Sequence, residues 1–258
     1  VAKTAATPRK KNLKIGIAQI PIVMGDKETN LKSVFDAVRV AGKDGCDIVV
    51  LPECCLTGWL STVTRAKAER VPGRFTDALG RLARHHRIAI AVGFEEKDES
   101  RCYNAAVFIA RDGEIRARHR KINELEIGLD LYSRGDSLGV FEFEGRTLAL
   151  DICADSWTPH LVASLYLMGA QVILSPCAWA IEPGNEQTNI DWISHTYAER
   201  TSGNNLAIVA ANSVGPVSEG PWAGRVLQGD SLAFGPDGVK LVQGPTNEPA
   251  HLSVTLEI

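Results

Sequence analysis

Short β-branched runs that lack a polar face recur along this chain, and they restrict its possible folds more than any other feature. The strand-like runs are LKIGIAQI (13–20), CDIVVLP (46–52), IAIAVGF (88–94), AAVFIA (105–110), TLALDIC (147–153), QVILSP (171–176), LAIVAAN (206–212), SLAFG (231–235) and LSVTLEI (252–258). Several are apolar at successive positions, as expected of strands covered on both faces. Helical stripes lie between them. Leu31, Val34, Phe35 and Val38 share one face of a helix from about Lys27 to Ala41, Leu161, Val162, Leu165 and Met168 repeat the pattern, and Asp191 to Ser202 is a third candidate. Arg111-Asp112-Gly113 and Pro236-Asp237-Gly238 are hairpin signals. Together these predict an α/β protein with mixed sheets: a flexible tail over residues 1–12, then a single domain over 13–258.

Composition narrows the function. Of 258 residues, 45% are hydrophobic and 23% charged, which is ample apolar surface to offset chain entropy. No run approaches the roughly 18 apolar residues of a membrane span. The basic stretch VAKTAATPRKKNLK has no apolar core behind it, so it does not read as a secretory signal. A net charge of −3 gives no electrostatic case for nucleic acid or an anionic membrane. The six cysteines form no CxxC pair and the six histidines no HExxH, so neither a disulfide scaffold nor a metal site is expected. The expected compartment is the reducing cytoplasm.

Three residues sit where packing alone would not put them. Cys153 ends an apolar strand in LDICADSW, just before a helix starting near Thr158; a strand-to-helix elbow there would expose the thiol and lower its pKa. The alternative is a buried, inert cysteine. Glu53 follows an apolar strand and a proline in VVLPECCLTG, placed to act as a general base or merely to keep a sheet edge soluble. Lys121, in RHRKINE, belongs to a cluster of cations that normally marks a wet surface, but it directly precedes Ile122 and so can turn inward. A Cys–His pair is the rival arrangement, yet neither His160 nor His195 has local context marking a catalytic partner. Cys54, Cys55 and Cys177 read as small thiols lining a pocket wall.

These three sites in this order resemble the nitrilase superfamily, the carbon–nitrogen hydrolases, with their Glu–Lys–Cys triad. IVVLPECCLTG (48–58), HRKINE (119–124) and LDICADSW (150–157) are similar to its three motifs, with gaps of 68 and 32 residues between Glu53, Lys121 and Cys153. LYSRGD (131–136), GAQVILSPCAW (169–179), YAERTSGNNLAIVAANSVG (197–215) and GDSLAFGPDG (229–238) resemble its flanking stretches, so the likeness runs from about residue 13 to the C-terminus.

The resemblance implies a four-layer α-β-β-α sandwich of two mixed sheets, with subunits associating through the outer helices as a homodimer or higher homo-oligomer. It assigns Cys153 as nucleophile, Glu53 as general base and acid, and Lys121, helped by the Ala154 N–H, as stabiliser of the tetrahedral oxyanion. It needs no metal and no organic cofactor. A second glutamate after the lysine is expected at Glu126, with Glu124 competing for the role; counting back from Gly135-Asp136 lands nearer Gly128. Trp179 is expected to position substrate, and Trp192 and Trp222 are candidates for pocket wall or core. Cys-Ala-Asp in place of Cys-Trp-Glu resembles the amidase and N-carbamoyl-amine hydrolase branches, so the expected substrate is a small linear amide or N-carbamoyl compound. With no extension at either end, a glutaminase domain coupled to a synthetase is not expected. The alternatives are a nitrile hydrolase and a catalytically silent scaffold protein, and the sequence does not choose between water and an amine as acyl acceptor.

Overall fold

A computed structural model of the chain describes residues 12–258. The expected tail lies outside the described residues except for Asn12, which opens the first strand. In chain order the elements are β1 (Asn12–Gln19), α1 (Lys27–Lys43), β2 (Ile48–Val50), α2 (Thr64–Lys67), α3 (Arg74–His86), β3 (Ala89–Asp98), β4 (Arg101–Ile109), β5 (Ile115–Arg120), β6 (Gly139–Phe143) and β7 (Arg146–Leu150). They continue with α4 (Pro159–Leu167), β8 (Val172–Pro176), β9 (Ala180–Ile181), α5 (Glu186–Asn204), β10 (Ala207–Ala211), β11 (Val214–Pro216), β12 (Val226–Gln228), β13 (Leu232–Phe234), β14 (Lys240–Gln243) and β15 (Ala250–Glu257).

Two six-stranded sheets form, ordered β15-β1-β2-β3-β4-β5 and β14-β13-β10-β8-β7-β6. Each has a parallel centre, β1–β2–β3 in one and β7–β8–β10 in the other, flanked by antiparallel strands. A small third sheet, β11-β12-β9, stands beside them. Residue parity sorts the apolar runs into layers. Leu13, Ile15 and Ile17 of β1, Ala89 and Ala91 of β3, and Ala106 and Phe108 of β4 pack in one cluster with Leu148, Leu150 and Ile173 of the second sheet. The intervening Ile90, Val92, Val107 and Ile109 pack instead with Val34 and Val38 of α1 and Phe75 and Leu79 of α3. On the far side α4 and α5 add Leu161, Val162, Leu165, Ile190, Ile193 and Tyr197 to the second sheet's cluster. The result is the expected four-layer α-β-β-α sandwich.

Both expected hairpins occur, at Arg111–Gly113 between β4 and β5 and at Pro236–Gly238 between β13 and β14. Two local expectations change. Met168 does not complete the α4 stripe; it caps the helix and is exposed. The strand expected to end at Cys153 stops at Leu150, because the chain leaves the sheet before the cysteine. The structure also adds α3, whose buried face of Phe75, Thr76, Leu79, Gly80 and Ala83 is too rich in small residues to stand out as an apolar stripe.

This topology matters for chemistry because the C-terminal ends of β2, β5, β7 and β8 release Glu53, Lys121, Cys153 and Cys177 in a shared neighbourhood. Open parallel sheets characteristically present their ligand sites at such ends.

Candidate active site

Each of the three predicted residues is fixed by its backbone. Glu53 lies three residues past β2, with its N–H donating to the Cys177 carbonyl at 3.2 Å. The loop can approach β3 only because position 93 is glycine: a Cβ there would stand 2.6 Å from Glu53 Cα and 2.8 Å from the Pro52 carbonyl oxygen. Buried Glu95 accepts from the N–H groups of Leu56 and Thr57 at 3.1 and 2.9 Å, clasping the loop from the other side. Lys121 follows β5 directly, its N–H donating to the Asn104 carbonyl and its own carbonyl accepting from Gly135 N–H, each at 2.8 Å. Cys153 begins a single 3₁₀ turn with φ of 52°, a left-handed conformation uncommon outside glycine.

The side chains converge. Lys121 Nζ lies 2.6 Å from Glu53 Oε1 and 3.8 Å from Glu124 Oε1. Asn104 Nδ2 donates to Glu53 Oε1 and, at 3.2 Å, to Glu124 Oε2, while Trp59 Nε1 reaches Glu124 Oε1 at 3.3 Å. Glu53, Lys121 and Glu124 are each 2% exposed. Burial works against the Lys121 ammonium, but Glu124, Glu53 and Cys153 outweigh it and hold the pKa well above the usual lysine value. Burial pushes Glu124 up, with Lys121 opposing. One ammonium therefore serves two carboxyl groups.

The Cys153 thiol differs from the sequence expectation. Its pKa is pushed well up, by burial first, then by the hydrogen-bonding Cys177 thiol and the Glu53 charge, against which Lys121 works. The expected lowering by a helix N-terminus fails for a geometric reason. The α4 helix starts only at Pro159, and a helix dipole acts over little more than its first turn.

The Lys121 and Cys153 segments are bolted together through Asp155. Its Oδ2 lies 2.8 Å from His119 Nε2 and accepts from Ile152 N–H at 3.1 Å; its Oδ1 accepts from Ile122 and Asn123 N–H at 3.1 and 2.7 Å. Asn123 Nδ2 adds bonds to the Ala154 carbonyl and Thr158 Oγ1 at 2.7 and 3.0 Å. Because Asn123 is tied to the cysteine turn, the next residue, Glu124, turns inward. The structure therefore brings Glu124, and not the expected Glu126, into this cluster: Glu126 is exposed on a separate 3₁₀ turn. Gly128, where the family count landed, makes room for that carboxylate, since a Cβ there would stand 2.6 Å from Glu124 Oε1.

Above this cluster opens a cavity with about 370 Å³ of empty space. Glu53, Lys121 and Cys153 line it, together with Trp59, Trp157, Trp179 and Trp222. Trp179 is thus part of the cavity wall, and Ala154 is buried next to Cys153 in the chain. Trp192 is not part of the wall; it is 47% exposed and meets Trp157 edge-on at 5.0 Å. Trp59, Trp157 and Asn104 escape the sequence reading. Asn104 alone left a signal, as a single amide entering an apolar strand. His160 and His195 are exposed, away from the cavity. Cys54, Cys55 and Cys177, expected in the pocket wall, are fully buried behind it and do not line the cavity, and burial pushes the Cys54 and Cys55 thiols well up. Among the described residues, no cluster of three or more His, Cys, Asp or Glu is arranged to hold a metal ion, and no helix is long and apolar enough to cross a membrane.

The sequence profile of the carbon–nitrogen hydrolase family matches residues 14–257. Among characterised relatives, a glutamine-dependent NAD(+) synthetase from Thermotoga maritima is 28% identical over 96% of this chain, which spans 42% of that protein. An (R)-stereoselective amidase from Pseudomonas sp. is 27% identical, covering 93% of this chain and 84% of its own. The mouse omega-amidase NIT2 is 30% identical over 61% of each chain. An amidase from Nesterenkonia sp. AN1, solved in complex with butyramide, superposes with a TM-score of 0.82 at 24% identity, covering 98% of this chain and 94% of its own.

Proposed function

Because the chain belongs to the carbon–nitrogen hydrolase family, we propose that it is an amidase that cleaves the C–N bond of a small amide or N-carbamoyl compound through a cysteine thioester. The supporting observation is the buried Lys121–Glu53 pair at 2.6 Å, at the base of a cavity that Cys153 also lines. Cys153 attacks the carbonyl carbon as its proton passes to Glu53, which then protonates the departing ammonia or amine and finally activates water. Lys121 and the Ala154 N–H receive the oxyanion; loss of one such donor costs about 100- to 1,000-fold in rate. Glu124 with Asn104 holds Glu53 and Lys121 in register. The Nesterenkonia amidase, solved with acrylamide added to its active-site cysteine, supports this role for Cys153.

The experiment is ammonia release from a panel of small amides, N-carbamoyl amines and nitriles, with Cys153→Ala beside the wild type and intact-mass detection of the acyl adduct. Amide-dependent release and an adduct, both lost in the variant, are expected. Release from nitriles alone would replace the amidase with a nitrile hydrolase, and no turnover with no adduct would leave a silent scaffold.

We also propose self-association through the outer helical layer. Tyr166 and Leu167 of α4, Met168 capping it and Trp192 of α5 are exposed there, Leu167 to 82%, and apolar surface of this kind marks interfaces. Light scattering on the wild type and Leu167→Asp tests it, with dissociation of the assembly expected in the variant. Six buried free thiols favour a reducing compartment such as the cytoplasm.

A further inference from the structure

Above its charged base the wall of the cavity carries no ionisable side chain. Away from Glu53, Lys121 and Cys153 its lining is four indoles, Leu125, Ile181, Ala178, Ala180 and the Asn189 amide. Asn189 already donates to Gln228 Oε1 at 2.6 Å. The indoles are held by ring contacts, Trp59 edge-on to Trp222 at 4.7 Å and Trp179 edge-on to Tyr197 at 6.0 Å, so the wall is preformed; the Trp157 and Trp179 N–H groups, which meet no acceptor among the described residues, are neutral donors and supply no counter-charge.

Lys121 is the single cation in the lining, and Glu53 and Glu124 both draw on it. The other cations near the wall are engaged elsewhere. Arg225 stacks on Trp222 at 3.8 Å and pairs with Glu182 at 3.0 Å, and Arg200 donates to the Trp157 carbonyl at 3.1 Å. A carboxylate on the far end of a substrate would lose its hydration against indole and alkyl surface without a counter-charge, facing a base that already has more carboxyl groups than ammonium groups. Burying an unpaired charge in such surroundings is heavily penalised. A neutral alkyl or aryl group of the same size gains from the same wall.

We propose that the site selects amides whose acyl group is neutral and apolar, branched-aliphatic or aromatic, and rejects those bearing a distal carboxylate, such as monoamides of dicarboxylic acids and N-carbamoyl amino acids. The proposal rests on the hydrolase reading above and specifies its substrate class.

A matched pair tests it: 4-methylpentanamide and succinamic acid, which differ by an isopropyl group against a carboxylate of similar shape. Expected is a kcat/KM for the neutral amide about 100-fold or more above that for the acid. A ratio of tenfold or less, or a preference for the acid, overturns the proposal and leaves the hydrolase reading standing. Calorimetric binding of the same two compounds to Cys153→Ala reads the discrimination independently of turnover. Discrimination there without turnover in the wild type would sink the hydrolase reading alone; equal binding would sink the substrate class. Ile181→Lys places an ammonium in the lining and should narrow the ratio at least tenfold, chiefly through KM for succinamic acid. An unchanged ratio in that folded variant would also count against the proposal.

Discussion

Replacing Lys121 by methionine keeps most of the side-chain volume while removing the charge, and so tests the shared ammonium directly. The Nζ lies 2.6 Å from Glu53 and 3.8 Å from Glu124, and all three residues are buried. Taking one partner from a buried ion pair costs about 3–5 kcal/mol, because the remaining charge is left uncompensated. For a chain of this size that is a Tm drop of roughly 6–20 °C. The loss should depend on pH. Burial already raises the Glu124 carboxyl and Lys121 opposes that rise, so without the ammonium its folded-state pKa climbs further above the unfolded one and the folded variant binds that proton more tightly than its unfolded chain. Its stability then falls as pH rises above the ordinary glutamate range. Urea unfolding of wild type and Lys121→Met at about pH 5 and about pH 8 should show the larger gap at the higher pH. Adding Glu124→Gln should recover about 1 kcal/mol or more of stability, with ammonia release still down at least about 100-fold. A stability loss below about 1 kcal/mol, or one equal at both pH values, would refute the reasoning that Lys121 compensates both carboxylates.

Other perturbations follow from the same geometry. Gly93→Ala forces a Cβ to within 2.6 Å of Glu53 Cα; a displacement of the order of 1 Å should lower kcat about 100-fold, read by steady-state kinetics on a variant whose fold is checked by circular dichroism. Asp155→Asn cannot supply all four acceptor contacts that join the Lys121 and Cys153 segments; a loss of about 1–3 kcal/mol is expected, with kcat falling more than KM. Asp151 is raised to about 7, by burial first and then by the Asp155 charge. Its folded-state proton is held more tightly than in the unfolded chain, so it subtracts stability as pH climbs from the ordinary aspartate range to about 7. Asp151→Asn should flatten that decline by up to about 1.4 kcal/mol per pH unit, measured as the difference in urea midpoints across the window.

Much of this architecture is legible in the residues. The fully apolar runs are strands because they are covered on both faces, and the parity of Leu13, Ile15 and Ile17 separates the inter-sheet face from the helix face. Glu53 and Cys153 are recognisable because each follows the end of such a run, whereas Lys121 lies in a basic stretch and stands out only by directly preceding Ile122. What the sequence conceals depends on contacts distant in the chain. Glu124 is chosen over Glu126 by Asp155, 31 residues away, which ties down Asn123 and sets the direction of the turn. The thiol's environment is set by burial beside Cys177 and not by the helix that follows it. The aromatic wall draws on Trp59, Trp157, Trp179 and Trp222, from four separate loops, and no local pattern distinguishes these from the exposed Trp192. The α3 helix is missed because its buried face includes Gly80, which lets the helix approach the Gly113 carbonyl; a Cβ there would come within 2.7 Å of that oxygen.

The charge balance of the site constrains the order of events in the proposed reaction. Around the Lys121 ammonium stand three groups able to carry negative charge: Glu53, Glu124 and the Cys153 thiolate. A resting thiolate beside a charged Glu53 would oppose two carboxyl groups and a sulfur anion with one cation in a buried site, and the raised thiol pKa is the outcome. Cys153 therefore rests as a thiol. Moving its proton onto Glu53 leaves the local charge unchanged, since one anion is exchanged for another, so this transfer avoids the penalty that loss of the proton to bulk water would carry. The sulfur anion so formed is relieved when it bonds to the carbonyl carbon and the charge moves to the oxygen. Lys121 then serves the oxyanion in place of the Glu53 carboxylate, which the transferred proton has just neutralised. Deprotonation and attack are thus coupled through a single ammonium, and a variant that keeps Cys153 and Glu53 but lacks Lys121 should be deficient in forming the acyl adduct as well as in hydrolysing it.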